Sequence, residues 1–361
     1  MKVSMFFNYD SNTYYGGIIN IIDAYLKNRT LFQRQNIEIS TINPKISFSK
    51  NKIVSTVQKI FHLNKEMSYL KKEFKPEKDE IFHLHSSRGW ILNNDLKLLK
   101  FVKKHYRIKT CLSIHFAGVS NILSNNSLVR KKQLKILNSF VDRIVVLSKQ
   151  TLDEFIALGI DKNKLSLLYT FHSCESNILE KNISEGSVNL LFVGSIDERK
   201  GVFDLIEVLK TMQDYPIKCN ICGGFATPAI KKLFFEHITD LKNINFLGYV
   251  KGIKKQDIFY QSDILILPSY GEGMPIVIME ALNFGCAVIS TNVGAIGEII
   301  SEENGILFVP GDKKALKNAI IHLTTDKDNL NKICNVNLKK GKLFSIEKNI
   351  TRLCDIYFMM N

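Results

Sequence analysis

Residues 270–285, YGEGMPIVIMEALNFG, carry two glutamates eight positions apart, Glu272 in a glycine-rich turn and Glu280 inside an apolar run. A carboxylate is almost never fully buried unless something pairs with it or hydrogen-bonds to it. Partners for both are therefore expected. The preceding run DILILP reads as a strand and Pro275 as the first residue of a helix, its favoured position. Backbone N–H groups at such a helix start, on Gly273, Met274 and Ile276, are free to meet an anion with the helix dipole behind them. Glu280 lies too far into the helix to cap it and can point back toward whatever the helix start holds. A ribose with two vicinal hydroxyls suits such a carboxylate, and Glu272 would reach past the phosphates to the group being transferred.

These residues need a scaffold, and the chain supplies the pattern of one. Short apolar runs alternate with amphipathic stretches, which predicts parallel sheets wrapped by helices. The expected strands are 2–8, 37–41, 80–85, 110–115 and 143–148, then 188–195, 217–223, 243–248, 263–268 and 286–291. The polar, aperiodic stretch 171–187 separates the two series. Two doubly wound, Rossmann-like domains follow, 1–172 and 173–343. In open α/β sheets ligands bind at the carboxyl ends of the strands, so the cleft between the domains is the expected site.

At 361 residues the chain is long enough for two such cores. Its 45% hydrophobic and 23% charged content are those of a globular protein, and no apolar run approaches the roughly 20 residues a bilayer crossing needs. The first residues have too short an apolar core for a signal peptide, and seven cysteines, an odd count, fit a reducing compartment; a cytoplasmic protein is expected. Cys219 and Cys222 have redox-like spacing but no second pair nearby, and Asp326-Lys327-Asp328 imitates a metal-binding pair of aspartates between two helices of the tail. Neither is read as a metal site.

The net charge of +14 is carried by one half: residues 1–170 hold 28 Lys+Arg against 13 Asp+Glu. That half is expected to meet something anionic. The segment 45–75, with Lys50, Lys52, Lys59, Lys71 and Lys72 around Ile53, Val57, Ile60 and Phe61 at helical spacing, suggests peripheral contact with the anionic inner face of a membrane. A nucleic-acid-binding module would explain the basic half but leave Glu272 and Glu280 without a purpose, so no nucleic-acid partner is expected.

The run GEGMPIVIMEALNFGCAVISTNVGAIGEII resembles the signature region of retaining GT-B glycosyltransferases of family four, in which two glutamates are separated by seven residues. FVGSIDERKG (192–201) resembles that family's phosphate loop, NINFLGYV (243–250) its base-binding strand, and FSIEKNITRLCDIY (344–357) its terminal helix, which packs back on the first domain over about 344–361. The resemblance implies a GT-B fold and transfer of a hexose-type sugar from a nucleoside diphosphate sugar to a saccharide or polyprenyl-diphosphate-linked saccharide, with retention, in bacterial surface polysaccharide synthesis. It implies no cofactor and no metal.

By resemblance, Glu280 binds the donor ribose, Glu272 contacts the donor sugar near the reacting carbon, and Gly273, Met274 and Ile276 donate backbone hydrogen bonds. Lys200 meets the diphosphate and Val250 packs on the base. Ser195 stands where the family often has an arginine, which the neighbouring Arg199 could replace. Gly16 and Gly17 match the glycine loop facing the diphosphate. His115 matches the histidine near donor sugar and acceptor, although Phe116 follows it where an aspartate is common, and His85, closing EIFHLH in the same way, competes for that role. A nucleotide-sugar epimerase or hydrolase of GT-B architecture, or a phosphorylase, would share the two-domain plan. A dinucleotide oxidoreductase would want GxGxxG after the first strand, which YYGGIIN lacks.

Overall fold

The computed structural model describes the chain except for residues 8–16, 45–51, 87–89, 117, 175, 177, 184 and 185, and leaves the side chains of 17, 52–62, 90, 91 and 121 undescribed. Gly16 therefore lies outside the described residues, as do Lys50 and the side chains of Lys52, Ile53, Val57, Lys59, Ile60 and Phe61. The chain divides into two compact units, one made of Met1–Tyr169 with Ile346–Asn361 and one of Thr170–Ser345.

The first unit is a six-stranded parallel sheet in the order β2-β1-β3-β4-β5-β6. Its strands are β1 Lys2–Phe6, β2 Glu38–Ile42, β3 Ile81–Ser86, β4 Lys109–Ile114, β5 Arg143–Val146 and β6 Leu165–Leu167. The two central strands, β3 and β4, are buried along almost their whole length, polar residues included, as in a parallel sheet covered on both faces. Leu84, Leu112, Ile114 and Val146 pack with Leu96, Leu99 and Val102 of the helix Trp90–Tyr106. The last helix, Ile346–Phe358, belongs to this unit: Tyr357 is fully buried, and the Tyr25 hydroxyl donates to Asn349 Oδ1 at 2.8 Å.

The second unit repeats the plan with the order β12-β11-β10-β7-β8-β9. Its strands are β7 Val188–Val193, β8 Ile217–Cys222, β9 Ile244–Gly248, β10 Ile264–Leu267, β11 Ala287–Thr291 and β12 Gly305–Phe308. The polar stretch expected as a linker is pinned along the helix Lys327–Gly341: the Lys181 amide donates to Asn335 Oδ1 at 3.0 Å and the Ile183 amide to Asn331 Oδ1 at 2.7 Å.

Two details differ from the sequence reading. β6 and β12 were not expected; each is a strand of three or four residues at a sheet edge, too short for its apolar run to stand out. Pro275 does not occupy the first helical position. It precedes the helix Ile276–Asn283 with ψ of 121°, so its ring ends the extended turn and the helix starts one residue later.

Candidate functional site

The second unit gathers most of the expected site at the carboxyl ends of β7 and β10. Three successive loops are interlocked there. After β7, Asp197 caps the short turn Glu198–Lys200 by accepting from the Lys200 amide at 2.9 Å, which aims the lysine side chain inward. Gly201, at φ +67°, follows; a Cβ there would lie 2.0 Å from the Pro268 carbonyl oxygen, so only glycine lets the turn approach the end of β10 this closely. After β10, the Tyr270 amide donates to the Arg199 carbonyl at 2.8 Å, and Arg199 Nη1 to the Gly271 carbonyl at 2.8 Å. After β11, Thr291 Oγ1 donates to the Ser269 carbonyl at 2.5 Å and the Ala295 amide to the Gly273 carbonyl at 2.9 Å. Gly294, at φ +60°, would place a Cβ 2.3 Å from the Glu272 carbonyl oxygen.

The partners that the two carboxylates require are present. Glu272 Oε1 accepts from Lys200 Nζ at 2.5 Å and from Ser269 Oγ at 2.7 Å. Glu280 receives Lys255 Nζ on both oxygens, at 2.7 and 2.6 Å. Both glutamates are buried. Each faces a lysine in a largely buried ion pair, and an ammonium group has three N–H donors to share with a further anion. Around them, the backbone N–H groups of Gly273, Met274 and Ile276 donate to no acceptor among the described residues. Met274 is itself anchored, its Sδ accepting from the Thr170 amide at 3.2 Å. Val250 is buried just after β9.

Ser195 is exposed and its hydroxyl donates to Asp197, so it adds no cation to the loop; Arg199 is committed in part to Gly271. Lys255 was not anticipated. It sits on the helix Gly252–Tyr260, immediately after the expected base strand, and the cluster Lys251, Lys254 and Lys255 there was its visible signal. Beside Glu280, the Cys174 thiol lies 3.9 Å from Oε1, and burial together with that carboxylate pushes its pKa up to about 12.

The first unit assembles its own cluster at the ends of β3 and β4. His85 and His115, read as rivals, are partners: His85 Nδ1 and His115 Nε2 lie 2.9 Å apart. His83 stacks on His85 with ring centroids 4.2 Å apart and bonds Tyr357 Oη at 2.6 Å and Ser113 Oγ at 2.8 Å. Burial drives all three toward the neutral form, His83 down to about 3, His115 to about 4 and His85 well below the ordinary value. His85 Nε2 and His115 Nδ1 are buried without a partner. Whichever ring donates in the shared bond, one of these two nitrogens carries a hydrogen and the other a lone pair. Gly17 opens the helix Gly17–Lys27.

Cys219 and Cys222 are buried in β8 three residues apart, on opposite faces of the strand. Asp326 caps the helix Lys327–Gly341 by accepting from the Asn329 amide.

Residues 175–340 match the glycosyl transferases group 1 family. With relatives named as glycosyltransferases, the match identifies the chain as a transferase enzyme. Over 305 residues, 81% of this glycosyltransferase and 82% of the relative, it is 24% identical to an uncharacterized 41.2 kDa protein in the cps region of Klebsiella pneumoniae. It is 26% identical over 312 residues, 79% of the chain and 77% of the relative, to the UDP-Gal:alpha-D-GlcNAc-diphosphoundecaprenol alpha-1,3-galactosyltransferase of Escherichia coli. The structure of Anabaena HepE in complex with UDP matches with a TM-score of 0.70 at 17% identity, covering 98% of this chain and 99% of that one. The fold of this glycosyltransferase is GT-B. Its matched residues include Lys200, Lys255, Glu272 and Glu280.

Proposed function

We propose that this glycosyltransferase moves a hexose-type sugar from a nucleoside diphosphate sugar to a saccharide or lipid-linked saccharide, with retention at the anomeric carbon, in the synthesis of a bacterial surface polysaccharide. The observation that carries the reading is the pair of buried glutamate–lysine contacts, Lys200 with Glu272 and Lys255 with Glu280, flanking the unpartnered N–H groups of Gly273, Met274 and Ile276. Glu280 takes the ribose hydroxyls. The free N–H groups and Lys200 take the diphosphate, and Val250 packs on the base. As the bond from the anomeric carbon to the diphosphate breaks, its electron pair stays on the phosphate oxygen. Preorganised donors around that oxygen stabilise the charge that develops. The acceptor oxygen bonds to the same face of the carbon and its proton leaves with the diphosphate. Glu272, held by Lys200 and Ser269, faces the carbon where positive charge grows. His115, with His85 behind it, offers hydrogen bonds to sugar hydroxyls. No step is assigned to a metal or cofactor.

The names of the two relatives, one from a cps region and one acting on a diphosphoundecaprenol-linked sugar, support the polysaccharide setting and a lipid-linked acceptor. HepE, bound to UDP, supports a uridine donor. The test is titration calorimetry with UDP, GDP and ADP followed by donor-hydrolysis assays with the matching nucleotide sugars. One nucleotide should bind in the micromolar range, and its sugar should be turned over. Failure of every nucleoside diphosphate to bind would overturn the reading.

A further inference from the structure

The first unit has a helical face whose charge the proposed transfer reaction does not use. β2, β3, β4 and β5 advance in one direction through the sheet once β1 is crossed, so right-handed crossovers place the helices Lys52–Glu73, Trp90–Tyr106 and Ser127–Phe140 on the same side. The middle helix packs against each of the other two. On it, Lys97, Lys100 and Lys104 follow one another at helical spacing, and on Ser127–Phe140 so do Lys131 or Lys132 and Lys135. The helix Ser127–Phe140 has no acidic residue, and the only one on Trp90–Tyr106, Asp95, is buried. On Lys52–Glu73, Glu66 is buried and Glu73 is taken by Lys72. The nearby Asp142 is taken by Lys103. Among the described residues none of those six lysines has a carboxylate within ion-pair distance.

The surface is also amphipathic. A groove of about 400 Å³ between two of the helices is lined by Met67, Lys97, Lys100, Phe101, Lys104 and His105. Lys71 Nζ lies 5.7 Å from the Phe101 ring centre, while Lys100 and Lys104 lie 5.2 and 5.6 Å from that of Phe140. The ammonium groups thus lie over the ring faces, which keeps them at the same surface as the apolar rings. Leu128, 75% exposed, projects from the first turn of the helix that carries Lys131, Lys132 and Lys135.

We propose that this face, through Lys97, Lys100, Lys104, Lys131, Lys132 and Lys135 with Leu128 among them, docks on the headgroups of an anionic phospholipid leaflet. Three features favour a lipid surface over nucleic acid. The cations are lysines, mobile point charges suited to a fluid array of headgroups. The one arginine among them, Arg130, already donates through Nε to the Ser124 carbonyl. The aromatic rings lie beneath lysines and are not open as stacking platforms for bases. An exposed leucine gains by entering the interface between headgroups and acyl chains. The segment 45–75 contributes Lys71 to this face.

The test is sedimentation of the full chain with vesicles of phosphatidylglycerol and phosphatidylcholine, and with phosphatidylcholine alone, at low and high salt. The protein should bind the anionic vesicles, release from them as salt rises, and ignore the neutral ones. Lys97→Glu, Lys100→Glu and Lys104→Glu together, or Lys131→Glu, Lys132→Glu and Lys135→Glu together, should each lower binding by about tenfold or more. Reversal of Lys210, Lys231 and Lys232, exposed on the second unit, should leave binding within roughly threefold of wild type. The corresponding Lys→Gln triples are measured beside the reversals, with circular dichroism to establish folding. Equal binding to neutral vesicles, binding that survives both reversals, or equal loss in the control triple overturns the proposal. So does tighter binding to single-stranded DNA that the same reversals abolish.

Discussion

Replacing Lys200 by alanine removes the cation 2.5 Å from Glu272 Oε1. The two side chains are only 15% and 7% exposed, so water screens their attraction weakly. At an effective dielectric near 20, unit charges this close attract by on the order of 6 kcal/mol before desolvation is counted. Breaking such a pair leaves Glu272 buried with Ser269 as its remaining partner, and a loss near the low end for buried pairs is expected, about 3 kcal/mol. Glu272→Gln alone should cost about 2 kcal/mol, because Lys200 then loses its counter-charge. Once the pair is gone the second substitution adds little, so the double variant should be only slightly worse than Lys200→Ala, a coupling of about 2 kcal/mol. Trp90, the only tryptophan, lies in the first unit and its fluorescence reports that unit. The second unit is therefore followed by hydrogen exchange of peptides from β7 and β10, read as opening free energies. Single changes that add to the double change within about 0.5 kcal/mol would show that the contact is not formed in solution.

Glu280→Ala should weaken nucleoside diphosphate binding about tenfold or more while Glu272→Ala chiefly lowers kcat, since a ribose contact persists throughout the reaction and a contact at the reacting carbon matters most in the transition state; calorimetry and steady-state kinetics that return wild-type values for both would remove the site. Lys200→Ala should lower kcat/KM by roughly thirtyfold, about 2 kcal/mol in the barrier, and a loss below threefold would hand the diphosphate to Arg199 or Lys255. The first unit should lose stability on acidification: its buried histidines His83, His85 and His115 are neutral when folded, with His115 near 4 and His83 near 3, but take protons near 6.5 when unfolded, so stability is full above that value and falls with pH through the window down to about 4. At pH 5 that amounts to about 2 kcal/mol per histidine, checked by urea denaturation followed through Trp90, and a stability unchanged between pH 7.5 and 5 contradicts it. Gly294→Ala should cost about 2–3 kcal/mol through its strained φ and the collision with the Glu272 carbonyl, lowering the melting temperature of the second unit and donor affinity together; wild-type values of both would show that the turn relaxes freely.

Ten of the twelve strands were legible because each holds several apolar or β-branched residues bounded by polar or glycine-containing turns. The two others, β6 and β12, lie at sheet edges and are three and four residues long, so their apolar content does not rise above that of their flanks. Glu272 and Glu280 stood out because charges inside apolar sequence are costly, and that cost is local. Lys255 was visible only as one of a lysine cluster, because nothing in a lysine on a mixed helix says which carboxylate it will reach. Its pairing with Glu280 depends on how β9 and β10 bring their following helices together. His85 and His115 were posed as alternatives for the same reason. Their strands are neighbours, with His85 opposite Ser113 in register, so the two strand-end rings meet, and only the pairing of β3 with β4 reveals it.

The first unit is completed by residues from the far end of the chain, Ile346–Asn361, after the whole of the second unit has intervened. On the ribosome, its sheet emerges first but lacks Tyr357, which closes over His83, and Asn349, which receives the Tyr25 hydroxyl. Synthesis of the intervening unit takes on the order of ten to thirty seconds. During that interval the early sheet has an uncovered apolar flank, while the late unit is free to fold by itself. Nascent chains stalled before residue 346 should therefore recruit chaperones to the amino-terminal half, and arrival of the final helix is the event that releases them.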